Sequence, residues 1–210
     1  MNLKIDLHVH TTSSRDSFIV PEQLPIIARK KGIDGVAITN HDASAGYFSS
    51  EVIIIPGSEV TTCEGHILAL GLSDPIEKGR SADDTISLIH DVGGIAVVPH
   101  PFDPVSPCVD PYKLKSRPDA IEVINSDALF FGLNTKYAMR AARQLGLPMV
   151  AGSDSHIPET VGDAYTLINS PSCDLKDLLN AIKSGTVQPE GRATSVSSKL
   201  LKLSRTLRSL

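Results

Sequence analysis

The chain has 210 residues, of which 41% are hydrophobic and 21% charged, and this composition is typical of one folded domain rather than a disordered chain. Aromatic residues make up only 4% and tryptophan is absent, so few side chains could stack on bases. The net charge is -4, but the segment from Arg192 onward holds five basic residues and no acidic one, which leaves -9 on residues 1–191. An acidic body with few aromatic residues counts against a nucleic-acid binder.

The three cysteines, Cys63, Cys108 and Cys173, are widely spaced and form no Cys-x-x-Cys pair. The sequence therefore predicts neither a disulfide framework nor a thiolate zinc site. The opening sequence MNLKIDLHVH has no signal-peptide core, and no apolar run is long enough for a transmembrane helix. Together these features predict a reduced, cytoplasmic location.

Apolar runs rich in valine and isoleucine alternate with helix-like segments along the chain. Eight runs are predicted to be strands, in the order LKIDLHV, GVAITN, VIIIPG, HILALGL, GIAVVPH, AIEVIN, LPMVAG and AYTLI. Three helices are predicted between them, over PEQLPIIARKKG, over SADDTISLIHDVGG with a capping serine, and over NTKYAMRAARQLG from a capping Asn134 to Gly146. This alternation favours an α/β fold of the parallel (β/α) barrel kind, because no G-x-G-x-x-G fingerprint of a doubly wound sheet follows the first strand. We predict a barrel over residues 1–190 and a basic amphipathic tail over residues 191–210.

The unusual polar residues fall where the predicted strands end. In DLHVH, the side chains of Asp6, His8 and His10 share one face of the first strand, because side chains alternate along a strand. Other strand ends carry His41 with Asp42, Glu59, His66, His100, and Asp154 with His156, whereas His90 lies inside a helix and is interpreted as structural. Since the carboxyl ends of barrel strands meet on one face, these side chains are expected to form one site. Imidazoles with carboxylates and without thiolates predict a hydrolytic centre with more than one Zn, Mn or Fe ion.

Five motifs in order, DLHVHTTSSRDS, ITNHD, GSEVTTCEGHILALG, AVVPHP and VAGSDSH, resemble the PHP (polymerase and histidinol phosphatase) domain from residue 4 to about residue 168. The resemblance implies a distorted (β/α)7 barrel whose active site, with two or three divalent metal ions, lies at the C-terminal ends of the strands. It implies three ligand sets: His8, His10, Glu59 and Asp154 for one ion, Glu59, His66 and His100 for a second, and Asp16, His41 and His156 for a third. All nine positions carry a residue able to bind a metal.

The resemblance also implies phosphoester hydrolysis, in which a hydroxide bridging two metals attacks phosphorus and Glu59 and Asp154 are catalytic as metal ligands. Asp42 is predicted either to orient a ligand or move a proton, or to cap its own loop. Arg15 is a candidate phosphate clamp, because its forked donors match phosphate oxygens, although exposed loop arginines without such a role are more common.

The substrate class follows from what lies between the third and fourth motifs. Relatives that act on nucleoside bisphosphates or RNA ends carry an insertion between the positions of His66 and His100, and this chain has only a loop, one helix and a strand there. We therefore predict a small-molecule phosphomonoester as substrate. The alternatives are a nuclease acting on nucleic-acid ends, a non-catalytic interaction module, and an enzyme that hydrolyses amides.

The last segment, SSKLLKLSRTLRSL, is predicted to be a short basic amphipathic helix. Leu200, Leu203, Leu207 and Leu210 form its apolar stripe, opposite Lys202, Arg205 and Arg208. So short a helix is marginal alone, so its leucines are expected to dock on the barrel, in preference to a second subunit of a homo-oligomer or an anionic membrane.

Overall fold

A computed structural model describes residues 1–209, so Leu210 of the predicted leucine stripe lies outside the described residues. The described part forms one nine-stranded sheet in the order β7-β6-β5-β4-β3-β2-β1-β8-β9. The strands are β1 (Asn2–Val9), β2 (Gly35–Ile38), β3 (Ile53–Thr61), β4 (His66–Leu70), β5 (Ile95–Val98), β6 (Ala120–Asn125), β7 (Met149–Gly152), β8 (Ala164–Asn169) and β9 (Val187–Gly191). The helices are α1 (Leu24–Lys31), after a 3-10 turn at Pro21–Gln23, α2 (Ala82–Asp91), α3 (Phe131–Leu145), α4 (Leu175–Ser184) and α5 (Val196–Ser209).

The sheet curls until its first and seventh strands meet, which makes a nearly closed barrel. Val9, the last residue of β1, pairs in parallel with Ser155, which follows the end of β7. Two backbone hydrogen bonds close this seam, from Asp154 N to His8 O at 2.8 Å and from His10 N to Ser155 O at 2.9 Å. The seam therefore lies at the carboxyl ends of both strands.

The predicted α/β barrel of the PHP type is confirmed, but the sheet is not all parallel. Strand pairs β1/β8, β3/β4, β4/β5 and β8/β9 are antiparallel. The connection between β3 and β4 has only residues 62–65, which is too short for the crossover that parallel neighbours need. Because β4 runs backwards, its first residue, His66, pairs with Thr61 at the carboxyl end of β3.

The helices begin and end largely where the sequence indicates. The Ser81 hydroxyl accepts a hydrogen bond from the Asp84 amide at 3.1 Å and caps α2, and Gly146 ends α3 with a left-handed φ of 60°. The predicted cap at Asn134 is wrong, because α3 already starts at Phe131 and Asn134 lies buried in its first turn. Helix α4 and strand β9 were not among the predicted elements.

Strand β1 explains why polar side chains can be buried at one end of this barrel. Leu3, Ile5 and Leu7 pack in an apolar cluster that includes Leu178 and Ile182 of α4. The alternate side chains, Asp6 and His8, point to the opposite face and are also fully buried. The apolar face anchors the strand, so the other face can carry ionisable groups.

The C-terminal helix α5 forms as predicted, but the expected docking through its leucines is wrong. Leu200, Leu203 and Leu207 are 61%, 55% and 64% exposed. The helix instead contacts the barrel with its basic side, through Lys199, Lys202 and Arg205. The reason is electrostatic, because the loops at this end of the barrel present carboxylates and carbonyl oxygens to the lysines and arginine.

The division of the chain into a barrel over residues 1–190 and a tail over residues 191–210 stays a prediction, and its boundary falls at the end of β9. Assembly of a homo-oligomer through the tail also stays a prediction. Within residues 1–209, none of the helices combines the length and apolar character that crossing a membrane requires.

Candidate metal centre

The side chains that the sequence predicts as metal ligands lie together at the end of the barrel that contains the seam between β1 and β7. Seven of them are buried, His41 is half-buried, and Asp16 is exposed; the buried ones are His8, His10, Glu59, His66, His100, Asp154 and His156. An open cavity of about 230 Å³ lies over this cluster. These residues come from strands β1 to β5 and β7 or from the loops that follow them, so the cluster depends on the whole barrel.

Glu59 of β3 lies at the centre, with its two carboxylate oxygens facing different histidines. Its Oε1 lies 2.9 Å from His66 Nδ1 and 3.0 Å from His100 Nε2. Its Oε2 lies 3.1 Å from His41 Nδ1, 3.3 Å from His10 Nε2 and 3.4 Å from His8 Nε2. A carboxylate placed in this way can bridge two cations.

Asp154 joins the two histidines of β1. Its Oδ1 lies 3.4 Å from His8 Nε2 and 3.3 Å from His10 Nε2, and these two nitrogens are 3.1 Å apart. Four ligand atoms around a tetrahedral zinc with bonds of 2.0–2.1 Å would be separated by about 3.3 Å. The distances from His8 and His10 to each other, to Asp154 and to Glu59 are therefore close to those of ligands sharing one ion.

A third group lies nearer the solvent. His156 Nε2 is 3.1 Å and His41 Nε2 is 3.6 Å from Asp16 Oδ2. The rings of His10 and His156 are stacked with centroids 4.3 Å apart, so this group adjoins the first one.

The outward nitrogens of two rings, His8 and His156, show which nitrogen of each ring faces the cluster. His8 Nδ1 lies 3.0 Å from Glu122 Oε1, and His156 Nδ1 lies 3.0 Å from the Asp154 carbonyl oxygen, so both Nδ1 atoms must be donors. In the neutral ring, the Nε2 of each is then an acceptor that faces the carboxylate of Asp154 or Asp16. Acceptors that face acceptors in a buried site need a proton or a metal ion between them, and carboxylates or carbonyls that fix the outer nitrogen are usual around histidine-bound metals. The residues thus fit divalent ions.

Two of the clustered residues have a backbone conformation that favours glycine. Asp154 has φ 55° and His100 has φ 31°. For residues with a side chain this left-handed region is costly, and it persists only where surrounding contacts impose it. The hydrogen bond that the Asp154 amide donates to His8 O at 2.8 Å is one such contact.

Comparison with known proteins identifies relatives of the chain and of its fold. A family model described as PHP-associated matches residues 133–187. The uncharacterized protein MJ1587 of Methanocaldococcus jannaschii is 36% identical over 143 residues, which cover 59% of this chain and 82% of that protein. A two-domain protein of Bacteroides vulgatus, containing a predicted PHP-like metal-dependent phosphoesterase, has a similar structure with a TM-score of 0.71 and 20% identity over 91% of this chain.

The chain belongs to the PHP-domain family. A further structural match, at a TM-score of 0.69 and 16% identity over 92% of this chain, is Endonuclease Q in complex with a 27-mer duplex that carries an abasic lesion. The aligned part covers 65% of the Bacteroides chain and 60% of Endonuclease Q, so both are longer than the part that is matched. These matches show that the chain has the fold of PHP-like metal-dependent phosphoesterases.

This PHP domain also uses buried residues that the sequence reasoning missed. Glu122 of β6 binds His8 Nδ1 through one oxygen and accepts from the His100 amide at 2.8 Å through the other. Asn125 Nδ2 donates to Glu122 at 2.9 Å and to Asp154 Oδ2 at 3.2 Å. Glu122 orients both histidines, and its signal in the sequence was a single acid within the apolar run AIEVIN.

Asp6 supports the seam from below the cluster. Its carboxylate accepts from the amides of Ser153 and Gly162, each at 2.8 Å, and from the Ser153 hydroxyl. Burial raises the pKa of Asp6 to about 6, although these hydrogen bonds and one from the His8 amide oppose the rise. Asp6 therefore ties the start of the PHP domain to the turn that carries Asp154.

Asp42 and Arg15 are not part of this cluster. The Asp42 carboxylate accepts from the Thr61 amide at 2.8 Å and from the Thr61 hydroxyl at 3.0 Å, with Lys78 Nζ at 3.5 Å. These contacts are those of a loop cap between β2 and β3, the alternative role considered for Asp42. Arg15 is exposed beside Asp16, and its role as a phosphate clamp stays a prediction.

The charges of the PHP-domain cluster predict that metal binding will release protons. Burial lowers the pKa of His41, but hydrogen bonds to Asp16 and Glu59 outweigh it and raise that pKa to about 10. Burial likewise lowers the pKa of His8, but the charges of Asp154, Glu122 and Glu59 raise it well above its usual value. At pH 7.5 the His41 ring is protonated in the metal-free site, and an ion that binds this ring must displace that proton.

We therefore expect the apparent affinity for Zn or Mn to rise between pH 6 and pH 9, because His41, with a pKa of about 10, must lose its proton to the solvent and that loss becomes easier as the proton concentration falls. Calorimetric titration in buffers of different ionisation enthalpy measures the number of protons released. A metal affinity that stays constant over this range, with no proton release, would contradict the charge state described here.

Proposed function

We propose that this PHP domain is a metal-dependent phosphoesterase that hydrolyses small-molecule phosphomonoesters, with two or three divalent ions, Zn, Mn or Fe, as cofactors. The observation that carries the proposal is Glu59, whose two oxygens face two sets of imidazoles on the floor of an open cavity. We assign the ions to three groups: His8, His10, Glu59 and Asp154; Glu59, His66 and His100; and Asp16, His41 and His156.

Bound divalent ions would polarise the phosphoester and make water nucleophilic at neutral pH. The chain's own residues orient the metal ligands and shape the site for this reaction. Glu122 and the Asp154 carbonyl hold the rings of His8 and His156 so that Nε2 faces the cavity. Burial of the cluster excludes bulk water from one side, and Lys202 adds a positive charge at the cavity wall that favours an anionic substrate.

The dimensions and charge of the site support a small substrate over nucleic acid. The cavity of about 230 Å³ suits a phosphate with a short substituent. The charge of -9 on residues 1–191 opposes the approach of a polynucleotide. The similarity to Endonuclease Q gives the nuclease reading a specific basis, so nucleic acid belongs among the tested substrates.

The test is a hydrolysis screen with metal-loaded protein. Sugar phosphates, amino-alcohol phosphates and nucleotides are compared with single-stranded DNA and with a duplex that carries an abasic site, each with added Mn or Zn. We expect release of phosphate from one class of small monoester, with activity lost on chelation and restored by metal.

The variant His10→Gln is expected to lose this activity, and His90→Gln is its matched control. His90 lies in α2 and hydrogen-bonds Asp119 Oδ2 at 2.8 Å, outside the cluster. Cleavage of the abasic duplex with no hydrolysis of monoesters would replace the proposal by a nuclease. Stoichiometric metal binding without hydrolysis of either class would favour a non-catalytic module.

A further inference from the structure

A second cleft opens beside the metal centre, between the C-terminal helix α5 and two loops. Its volume is about 300 Å³. Val105 of the loop after β5, Leu129 of the loop after β6 and Leu203 of α5 give it apolar walls. These three side chains are 69%, 54% and 55% exposed, so they present apolar surface to whatever enters.

This cleft adjoins the cavity over the metal centre. Both are lined by the same four residues, Val105, Ser106, Asp127 and Lys202. A molecule with its phosphate over Glu59 can therefore place its remaining atoms along the apolar walls. Neither cavity alone would hold both parts, since one is lined mainly by imidazoles and carboxylates and the other has apolar walls.

Polar contacts, and not the packing of leucines against the barrel, hold α5 in this position. Leu203 is therefore left exposed at the cleft. Lys199 Nζ donates to the carbonyl oxygens of Asp127 and Ala128 at 2.8 and 3.2 Å. Arg205 makes a two-pronged contact with Glu159 at 2.7 and 2.9 Å. These contacts hold the helix at both ends of the turn that carries Leu203.

Lys202 lies on the boundary between the two cavities. Its ammonium is 2.8 Å from Asp127 Oδ2. Burial lowers the pKa of Lys202, but the nearby carboxylates of Asp127 and Asp154 outweigh that effect and raise it, so the side chain stays charged. A fixed positive charge at this boundary favours a ligand that is anionic at the metal centre and neutral beyond it.

We propose that this cleft binds the leaving group of the substrate, and that this group is apolar, an aryl or short alkyl alcohol. The inference rests on the proposed phosphoesterase function and names the substrate class of that same site. In the reaction, an oxygen of water bonds to phosphorus, the bond from phosphorus to the ester oxygen breaks, and a proton passes to the departing alkoxide. The products are an apolar alcohol, which leaves through the cleft, and inorganic phosphate.

The experiment compares two phosphonates that cannot be hydrolysed, phenylphosphonate and methylphosphonate, by calorimetric titration of the metal-loaded protein. We expect the phenyl compound to bind about tenfold more tightly, as when one face of a ring is removed from water. In Leu203→Ser and in Leu129→Ser, on the opposite wall, this ratio is expected to fall to about threefold or less.

Leu207→Ser is the matched control, since Leu207 is 64% exposed on the same helix and is not part of the cleft wall. It should keep the wild-type ratio. Equal affinity for the two phosphonates in the wild-type protein, or a ratio that both cleft variants leave unchanged, would overturn the leaving-group site while the phosphoesterase proposal stands. Failure of both phosphonates to bind the metal-loaded protein would overturn the phosphoesterase proposal and, with it, this one.

Discussion

The variant Glu59→Gln is expected to lose about a thousandfold of its phosphoesterase turnover while the fold persists. Glutamine keeps the shape of the side chain but removes a negative charge that faces five imidazoles within 3.4 Å. Burial alone would raise the pKa of Glu59, yet the positive charge at His8 and hydrogen bonds from His10 and His100 hold it well below its usual value. The native residue is thus an anion at every relevant pH, and an amide cannot bridge two cations in its place.

Steady-state turnover at saturating metal, with melting temperature as the test of the fold, measures this effect. Glu51→Gln provides the control, because Glu51 lies on the surface and pairs with Arg29. Turnover near the wild-type value in Glu59→Gln would show that Glu59 does not bridge the ions.

The second large effect is expected from Gly152→Ala, which adds one methyl group next to the centre. A Cβ at this position would overlap the His8 Cβ and lie 2.6 Å from Glu122 Oε1 and 2.9 Å from the His8 amide nitrogen. The barrel seam must open or His8 and Glu122 must separate, and overpacking of this kind costs about 3 kcal/mol of unfolding free energy. We also expect weaker metal binding, since the histidine that Glu122 orients would be displaced.

Urea unfolding of the metal-free protein and calorimetric metal titration test both parts of this expectation. Gly132→Ala is a suitable control, because Gly132 lies in the first turn of α3 and a Cβ there would meet no atom within 4 Å. That change should leave stability unchanged or raise it by up to about 1 kcal/mol. An unfolding midpoint for Gly152→Ala equal to that of the wild-type protein would contradict the close contact.

The location of the candidate ligands could be predicted because their signal is local. Most of the histidines and carboxylates stand at or just after the end of an apolar run, and strand ends meet on one face of a barrel. His66 is instructive, since it begins its strand and reaches the same face only because β4 runs antiparallel. The four-residue connection between β3 and β4 is too short for a parallel crossover and so indicates an antiparallel β4. The prediction of an all-parallel barrel did not take this connection into account.

Other features depend on contacts between distant residues and leave little trace in the sequence. Glu122 looked like a single charge in a strand, and only the fold places it between His8 and His100. The amphipathic pattern predicted α5 itself but gave the wrong contact face. Hydrophobic periodicity indicates which side of a helix is apolar, and it carries no information about carboxylates such as Asp127 and Glu159 that lie elsewhere in the chain.

The seam between β1 and β7 has a consequence for the order of events during synthesis. The hydrogen bond between Ser153 and Asp6 joins residues 147 positions apart in the sequence. His8 and Asp154 are separated by a similar length of chain. When the first histidines leave the ribosome, Asp154 has not yet been synthesised. The nascent chain therefore has no complete binding site for an ion at that stage. The complete ligand set forms only after the barrel has closed, so an ion that needs the whole set binds after folding rather than during synthesis.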